Sequence, residues 1–243
     1  MTQRVSDELQ KIIKELGSKQ IEDLVSQVAG GKMLRPRLML KISQNEKIYE
    51  LAAVIELIHI ASLLHDDVID SSPLRRQKPT VNATNGDKTA VMLGDILYSK
   101  AFSKLVSFGP KIAYEVSNAV TVLSIGEMED VDMGRSVNLD EELYLSMLYK
   151  KTGSLIEAAA VSAAILDGSD DENIRIFGKN LGVAFQLIDD LLDIISDEKT
   201  LGKQPFSDFK EGKTTIAFIH LYKNGGKEVC DFLDSIYLRE PSD

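Results

Sequence analysis

The sequence carries two copies of an Asp-Asp-x-x-Asp pattern, one beginning at Asp66 and the other at Asp189. Residues four apart share one face of a helix, so Asp66 and Asp70 project together, as do Asp189 and Asp193. Like charges at this spacing repel, and a hard divalent cation would offset the repulsion. Mg²⁺ takes oxygen ligands, usually one or two carboxylates together with waters and substrate phosphates.

One such cluster alone is equally well explained as the solvated acidic end of a helix. Here, however, each copy directly follows an apolar run, at residues 61–64 and 185–188. A solvated helix face would not normally be so apolar just upstream. The pair therefore favours a metal–phosphate site that faces an apolar cavity.

Basic residues provide the other half of such a site. The chain has 28 Lys and Arg against 38 Asp and Glu, so at a net charge of −10 it needs metals or concentrated cations to hold a polyanion. Arg75 and Arg76 follow Asp70 after a short loop, and guanidinium groups clamp diphosphate through paired hydrogen bonds. Any single basic residue is more often a solvated surface charge. The remaining candidates are Lys32, Arg35, Lys151, Lys203 and Lys213.

The order of these motifs resembles that of the trans-isoprenyl diphosphate synthase (polyprenyl synthetase) family, and in particular its bacterial long-chain octaprenyl diphosphate synthases. The resemblance runs from about Gly30 to Thr215. The matching motifs are Gly-Gly-Lys-x-x-Arg-Pro at 30–36, Asp-Asp-x-x-Asp-x-x-x-x-Arg-Arg at 66–76, Lys-Thr at 151–152 and Phe-Gln-x-x-Asp-Asp-x-x-Asp at 185–193.

The resemblance implies a cofactor of up to three Mg²⁺ ions that bridge carboxylates and diphosphate. Asp66 and Asp70 would hold Mg²⁺ on the allylic diphosphate, with Asp67 supporting them. A further Mg²⁺ would be held from the opposite wall by Asp189, Asp190 and Asp193.

The resemblance also implies substrate-binding roles. The residues expected at the allylic diphosphate are Arg75, Lys151, Lys203 and Lys213. Those expected at isopentenyl diphosphate are Lys32, Arg35, His59 and Arg76. Thr152 and Gln186 would lie beside the allylic carbocation. Taken alone, His59 would be a core histidine, and only the family match makes it a ligand. The implied catalytic set is Asp66, Asp67, Asp70, Arg75, Lys151, Thr152, Gln186, Asp189 and Lys203.

The implied reaction is a head-to-tail condensation of isopentenyl diphosphate with an allylic diphosphate, for which farnesyl diphosphate is the expected primer. Ionisation needs a stabilised leaving group, and an apolar cavity keeps the cation from water. Family precedent gives the departing proton to the released diphosphate. Product length is expected to depend on Ala61 and Ser62, about 6 to 7.5 Å below the metals at 1.5 Å per residue. Both are small, which favours a long product such as octaprenyl diphosphate for quinone side chains.

Helical periodicity predicts the elements that position these residues. Leu187 and Leu191, for example, continue a face that begins at Val183, and strand signals are nearly absent. The sequence therefore predicts one all-α domain over 1–243, and the resemblance implies an isoprenoid-synthase-type helical bundle around a central apolar cavity. The predicted helices are 3–16, 20–29, 33–43, 47–70, 87–107, 111–132, 140–151, 153–166, 171–195, 214–223 and 226–237.

Composition excludes several other classes. A single cysteine, Cys230, rules out an internal disulfide framework, and the acidic charge argues against nucleic acid as a partner. The longest apolar stretches, 51–64 and 155–166, are interrupted by polar residues and fall short of a clean membrane span. We expect a soluble cytoplasmic homodimer, with a peripheral hand-off of product to a membrane.

The chain departs from the family pattern in two places. Phe206 stands where a flexible glycine is usual, and Ala217 where proline is common. Family members usually continue by several helices beyond Asp243, so we expect a domain that is short at its C-terminal end. The alternatives left open are a short-chain (farnesyl or geranylgeranyl) synthase, a non-catalytic subunit of a two-component synthase, a terpene cyclase and a purely structural bundle.

Overall fold

The structure is a computed structural model that describes residues 2–169, 172–196 and 207–236. Helices dominate these residues, which confirms the predicted all-α class. In chain order the elements are α1 (Thr2–Lys14), α2 (Lys19–Val28), α3 (Leu34–Ile42), α4 (Ile48–Ile69), β1 (Leu74–Arg75), β2 (Lys78–Pro79), α5 (Val81–Asn85), α6 (Asp87–Leu105), a 3₁₀ turn (Val106–Phe108), α7 (Pro110–Met133), α8 (Glu141–Leu148), a π-helical turn (Tyr149–Gly153), α9 (Ser154–Leu166), α10 (Glu172–Ile195), α11 (Ser207–Lys210), α12 (Ile216–Asn224) and α13 (Gly226–Ile236).

The chain divides into two compact units. Unit 1 consists of Met1–Val120 and Leu155–Gly178, and unit 2 consists of Thr121–Ser154 and Lys179–Asp243. The prediction of a single domain stays a prediction.

The helix α4 forms the core of unit 1, where it packs against α1, α3 and α6. Its apolar residues are buried on all sides up to Leu64, including the fully buried Ile55 and Ile58, whereas Ile69 at its end is exposed. By length and composition α4 could cross a membrane, but 78% of its most apolar window is buried inside the protein, as expected of a core helix. The last turn of α4 carries the first acidic cluster.

A short hairpin follows α4 and was not predicted. β1 and β2 pair antiparallel, with Arg75 opposite Lys78. The turn residues Arg76 and Gln77 have φ values of 52° and 62°, in the left-handed region that L-residues rarely adopt. This hairpin, rather than an open loop, therefore presents the two arginines near the acidic cluster.

In unit 2 the predicted helix 140–151 ends early, because α8 passes into the π-helical turn at Tyr149. Such turns are rare and often lie at functional sites. Here the turn carries Lys151 and Thr152. A Cβ added to Gly182 of α10 would lie 2.4 Å from the Cα of Gly153, so glycine is needed for α10 to approach the turn this closely.

The other predicted helices agree with the structure to within about two residues at each end. One predicted apolar face is only partly confirmed. Leu187 packs against the cluster formed by Tyr144, Met147, Leu148 and Ile219, but Leu191 is 40% exposed. The spacing predicts a shared helix face and not its burial, and the described residues leave this part of the face uncovered. Large exposed apolar residues of α10 in unit 2 are Leu181, Phe185, Ile188, Leu192 and Ile195.

We expect Gly182→Ala to lower the free energy of unfolding by about 1 to 3 kcal/mol, the usual cost of overpacking. Helix propensity alone would favour alanine by about 1 kcal/mol, so the sign of the change separates the two effects. The exposed neighbour Asn180 provides a control, since Asn180→Ala adds no atom to a crowded contact. Denaturant unfolding measures both variants. A stabilised Gly182→Ala protein would contradict the close approach of α10 to Gly153.

Candidate active site

The first acidic cluster has one buried and two partly exposed members. Asp66 and Asp70 are half-buried, whereas Asp67 is 2% exposed. The Nε of Arg75 donates a hydrogen bond to Oδ1 of Asp67 at 2.7 Å. Burial raises the pKa of the Asp67 carboxyl, and Arg75 opposes that shift. Asp67 thus fixes Arg75 beside the two other aspartates.

Three arginines surround His59 in unit 1. Burial holds the pKa of His59 well below its usual range, and the charges of Arg35, Arg76 and Arg75 lower it further. The imidazole is therefore neutral at physiological pH. A Cβ on Gly31 would come within 2.7 Å of Nη2 of Arg76, so this glycine lets the guanidinium approach the loop.

Arg35 carries a buried donor without a partner. Its Nε makes no hydrogen bond, although buried polar groups are nearly always paired. Burial lowers the pKa of Arg35, and the charges of Glu56 and Asp66 oppose this. Glu56 is itself 5% exposed, and its pKa is raised by burial against the attraction of Arg35 and Arg76. The cluster therefore has the character of an anion site.

The sequence-predicted residues of this half come together only in part. Arg35, His59 and Arg76 interact, with Arg75 and Asp66 beside them. Lys32 is exposed on the loop before α3. Ala61 is fully buried and Ser62 is 5% exposed, with its hydroxyl donating to the backbone oxygen of His59 at 2.9 Å. Their role in chain length stays a prediction.

In unit 2 one buried carboxylate holds two of the predicted lysines. Oδ2 of Asp130 lies 2.6 Å from Nζ of Lys151 and 3.5 Å from Nζ of Lys213. Burial raises the pKa of Asp130, but the two lysines outweigh it and the net shift is downward. Glu127 lies 2.9 Å from Lys151 as well. The two ammonium groups are thereby kept near each other and charged.

A chain of hydrogen bonds connects four further side chains of unit 2. The hydroxyl of Thr152 donates to Oε1 of Gln186 at 2.8 Å, and Nε2 of Gln186 donates to Oδ1 of Asp190 at 2.8 Å. The hydroxyl of Tyr144 donates to the other oxygen of Asp190. Burial raises the pKa of Asp190, while the bonds from Tyr144 and Gln186 oppose the shift. A pocket within unit 2 is lined by residues of this hydrogen-bond chain and of the Asp130–lysine cluster, among them Asp130, Tyr144, Lys151, Gln186, Asp190 and Lys213.

The second acidic cluster is split between surface and interior. Asp189 is exposed, whereas Asp190 and Asp193 are 6% and 2% exposed. The backbone N–H of Asp208 donates to Oδ2 of Asp193 at 3.3 Å. Lys203, the remaining predicted ligand of the allylic diphosphate, lies outside the described residues.

The carboxylates fit Mg²⁺ only in company with substrate. Within the part of the chain that the structure describes, no group of three or more His, Cys, Asp or Glu residues is placed to hold a metal alone. Mg²⁺ seldom requires such a cage, since one or two carboxylates with waters and substrate phosphates suffice. Asp66 and Asp70, one helical turn apart and beside an arginine cluster, match that donor set.

Comparison with known proteins identifies the family of the chain. The polyprenyl synthetase family model matches residues 18–243. The chain belongs to the polyprenyl synthetase family. It is 40% identical to the octaprenyl diphosphate synthase of Escherichia coli (strain K12) over 214 residues, which cover 84% of this chain and 66% of that protein. It is 37% identical to a short chain isoprenyl diphosphate synthase of Methanothermobacter thermautotrophicus, over 96% of this chain and 75% of that one.

A solved structure agrees with the family assignment. The octaprenyl pyrophosphate synthase from Helicobacter pylori superposes with a TM-score of 0.93 at 44% identity, and the match covers 99% of this chain and 81% of that one. Our chain thus has the helical fold of this prenyltransferase family, although it spans only about two thirds of the length of the Escherichia coli relative.

Sequence reasoning missed the counter-ions of the polyprenyl synthetase site. Glu56 interrupts an apolar helix, a signal that could have marked it as a buried partner for arginine. Glu127 and Asp130 stand in an acidic run that reads as a solvated face. Tyr144 lies 46 residues from Asp190, and no spacing rule joins them.

We expect the stability of the protein to fall more steeply on acidification with His59 present than without it. The unfolded chain binds a proton at this residue below about pH 6.5, whereas the folded chain, with its depressed pKa, does not. The free energy of unfolding therefore decreases as pH falls through this range. Thermal unfolding at pH 7.5 and 5.5 measures the loss, which should be smaller in His59→Gln. Equal losses would contradict a buried neutral histidine.

The substitution Asp130→Asn tests whether the shared carboxylate stabilises Lys151 and Lys213. The change leaves two ammonium groups without their shared carboxylate, and we expect a loss of about 2 to 3 kcal/mol, less than the roughly 3–5 of a fully buried pair. The expected loss is smaller because the side chains of Lys151 and Lys213 are 21% and 20% exposed.

Inorganic diphosphate should raise the unfolding midpoint of Asp130→Asn more than that of the unchanged protein, since its charge replaces the lost carboxylate. Thermal shift across a diphosphate titration measures both proteins. Lys41→Gln, an exposed charge change in unit 1, is the control. An identical response of both proteins to diphosphate would contradict a shared anion site at Lys151 and Lys213.

Proposed function

We propose that the protein is a Mg²⁺-dependent prenyltransferase that condenses isopentenyl diphosphate with an allylic diphosphate to give a long-chain all-trans polyprenyl diphosphate. The observation that carries the proposal is the arginine cluster of unit 1, in which the buried Nε of Arg35 has no hydrogen-bond partner and Asp66 lies nearby. A diphosphate oxygen would accept a strong, charge-assisted hydrogen bond from such a donor, and the bound diphosphate would also offer oxygens to a metal. Family membership identifies the anion class.

In this proposal the chain's own residues bind and orient both substrates. Arg35, Arg76 and neutral His59 hold isopentenyl diphosphate, and the exposed Lys32 also binds it. Arg75, locked by Asp67, binds the allylic diphosphate. Lys151, Lys203 and Lys213 complete the allylic site.

Bond changes in the proposed reaction balance without a protein nucleophile. The allylic C–O bond breaks, the isopentenyl double bond supplies the electrons of the new C–C bond, and the proton lost from carbon 2 passes to the released diphosphate. Mg²⁺ held by Asp66 and Asp70, and a further Mg²⁺ held by Asp189, would supply the positive charge that stabilises the leaving diphosphate. Oxygen dipoles of Thr152 and Gln186 stabilise the allylic cation.

Product length is the finer part of the proposal. Ala61 and Ser62 are small and buried in α4, which supports a long product, and octaprenyl diphosphate is the product we propose. Octaprenyl diphosphate synthases at 40% and 44% identity support it too. The short chain isoprenyl relative supports the alternative of a farnesyl or geranylgeranyl product. A non-catalytic subunit would be expected to have lost one or more of these Asp or Arg residues, and both acidic motifs are present.

We also propose a cytoplasmic homodimer that passes its product to a membrane for quinone side chains. The burial of α4 supports a water-soluble protein, since its apolar surface is used within unit 1. Exposed apolar residues of α6 and α7, such as Met92 and Met128, support an interface between copies.

A product assay tests the proposed activity. The full chain is incubated with farnesyl diphosphate, labelled isopentenyl diphosphate and Mg²⁺, and the dephosphorylated products are separated by length. We expect a ladder that ends sharply near octaprenyl and disappears when Mg²⁺ is chelated. A C15–C20 end point would favour the short-chain alternative. No incorporation, with diphosphate binding intact, would favour a partner-dependent subunit. The absence of both binding and incorporation would contradict the proposal that the protein is an enzyme.

Ala61→Phe should shorten the product by several isoprene units, because the ring would occupy the space below the metal site. Ala61→Gly is the matched control, since it changes the same fully buried position without adding bulk. The length distribution of the products is measured for both variants. An unchanged distribution in Ala61→Phe would show that Ala61 does not border the growing chain.

A further inference from the structure

We infer that Asp190 is a positioning residue, which sets the direction of a hydrogen-bond chain and thereby turns the lone pairs of the Thr152 oxygen toward the reacting allylic carbon. The inference rests on the proposed function. It separates Asp190 from the metal-binding role that the Asp-rich motif suggests for it, and it gives Tyr144 a role as well.

The direction of the chain follows from what each group can donate. Tyr144 donates its hydroxyl proton to Asp190, and Nε2 of Gln186 donates to the other carboxylate oxygen. Because the amide N–H₂ of Gln186 faces Asp190, its Oε1 must face Thr152. Thr152 has a single hydroxyl proton, and Oε1 accepts it at 2.8 Å. The lone pairs of the Thr152 oxygen are then left to face a ligand.

Burial makes this direction hard to change. Asp190 and Thr152 are 6% and 8% exposed, so water has little access to replace a broken bond. The backbone N–H of Ile216, at the start of α12, also bonds to the hydroxyl of Tyr144, which leaves that hydroxyl's proton for Asp190. The chain is thus anchored at one end by the backbone and at the other by the π-helical turn that carries Thr152.

The same contacts argue against Asp190 as a metal ligand. Both of its carboxylate oxygens accept hydrogen bonds from side chains, whereas the preceding residue, Asp189, is exposed. An oxygen turned toward Tyr144 in the interior is poorly placed to reach a hydrated Mg²⁺. We therefore assign metal binding to Asp189 and the orientation of the hydrogen-bond chain to Asp190.

Asp190→Asn tests the direction with little change of shape. The asparagine oxygen still accepts from Tyr144, but its N–H₂ faces Gln186, so the Gln186 amide must turn over. Gln186 then donates to Thr152, and the Thr152 proton points at the allylic carbon. We expect kcat to fall on the order of 100-fold, the scale of a lost oxyanion-hole donor. The KM values of both substrates and the half-saturating Mg²⁺ concentration should stay within about twofold.

A double-mutant cycle with Thr152→Val separates positioning from other roles. If Asp190 acts through Thr152, Asp190→Asn will cost little more once the hydroxyl is gone, so the two losses will not multiply. Thr152→Ser, which keeps the hydroxyl, should restore most of the rate. If Asp190→Asn does not fold, Gln186→Leu interrupts the same chain and enters the same cycle. Multiplicative losses, or a raised Mg²⁺ requirement in Asp190→Asn, would overturn the inference in favour of metal binding.

A binding measurement gives the test a readout that does not need turnover. The probes are an allylic diphosphate analogue with an ammonium nitrogen at the ionising carbon and its neutral carbon counterpart, titrated calorimetrically with Mg²⁺. We expect Asp190→Asn to weaken the charged probe about tenfold and leave the neutral probe unchanged. Equal effects on both probes would overturn the inference alone. Failure of the unchanged protein to bind either probe would overturn the proposed function with it.

Discussion

Clustered positive charge must be compensated, and the rest of the candidate site depends on how this chain does it. In each unit one buried carboxylate is shared between two cations: Glu56 between Arg35 and Arg76, and Asp130 between Lys151 and Lys213. Lys151 and Lys213 also have one further carboxylate each, Glu127 and Glu211, whereas the Nε of Arg35 has no hydrogen-bond partner. In the proposed function a diphosphate would accept a hydrogen bond from that donor, and its oxygens would join those of the Asp-rich motifs around a metal. The carboxylates hold the basic side chains in place for this role.

Local structure serves the same arrangement. Arg75 and Arg76 are presented by a hairpin whose turn residues have positive φ, a strained conformation for L-residues that persists because the surroundings enforce it. Lys151 and Thr152 are presented by a π-helical turn that α10 can approach only through Gly182. In both places the backbone departs from regular helix where the chemistry is proposed to occur.

The helices and the Asp-rich motifs could be predicted because their signals are local. Apolar spacing of three and four defines α4 and α6, and the aspartates stand at helical spacing after apolar runs. The hairpin could not be predicted, since residues 74–79 contain neither alternation nor an Asn-Gly turn. The counter-ions were missed because long-range packing selects them: Asp130 is 21 residues from Lys151. The exposure of Leu191 could not be predicted, because periodicity shows that a helix face is apolar but not that anything covers it.

The central claim is that the arginine cluster at α4 is a site for a diphosphate. Calorimetric titration of isopentenyl diphosphate into the full chain tests it directly, with Arg35→Gln compared against Lys41→Gln, an equal loss of charge at an exposed position of α3. The account predicts that Arg35→Gln weakens binding about tenfold or more, since a charge-assisted hydrogen bond is lost, while Lys41→Gln binds as the unchanged protein does. Equal affinity of both variants, or no binding by the unchanged protein, would contradict the account.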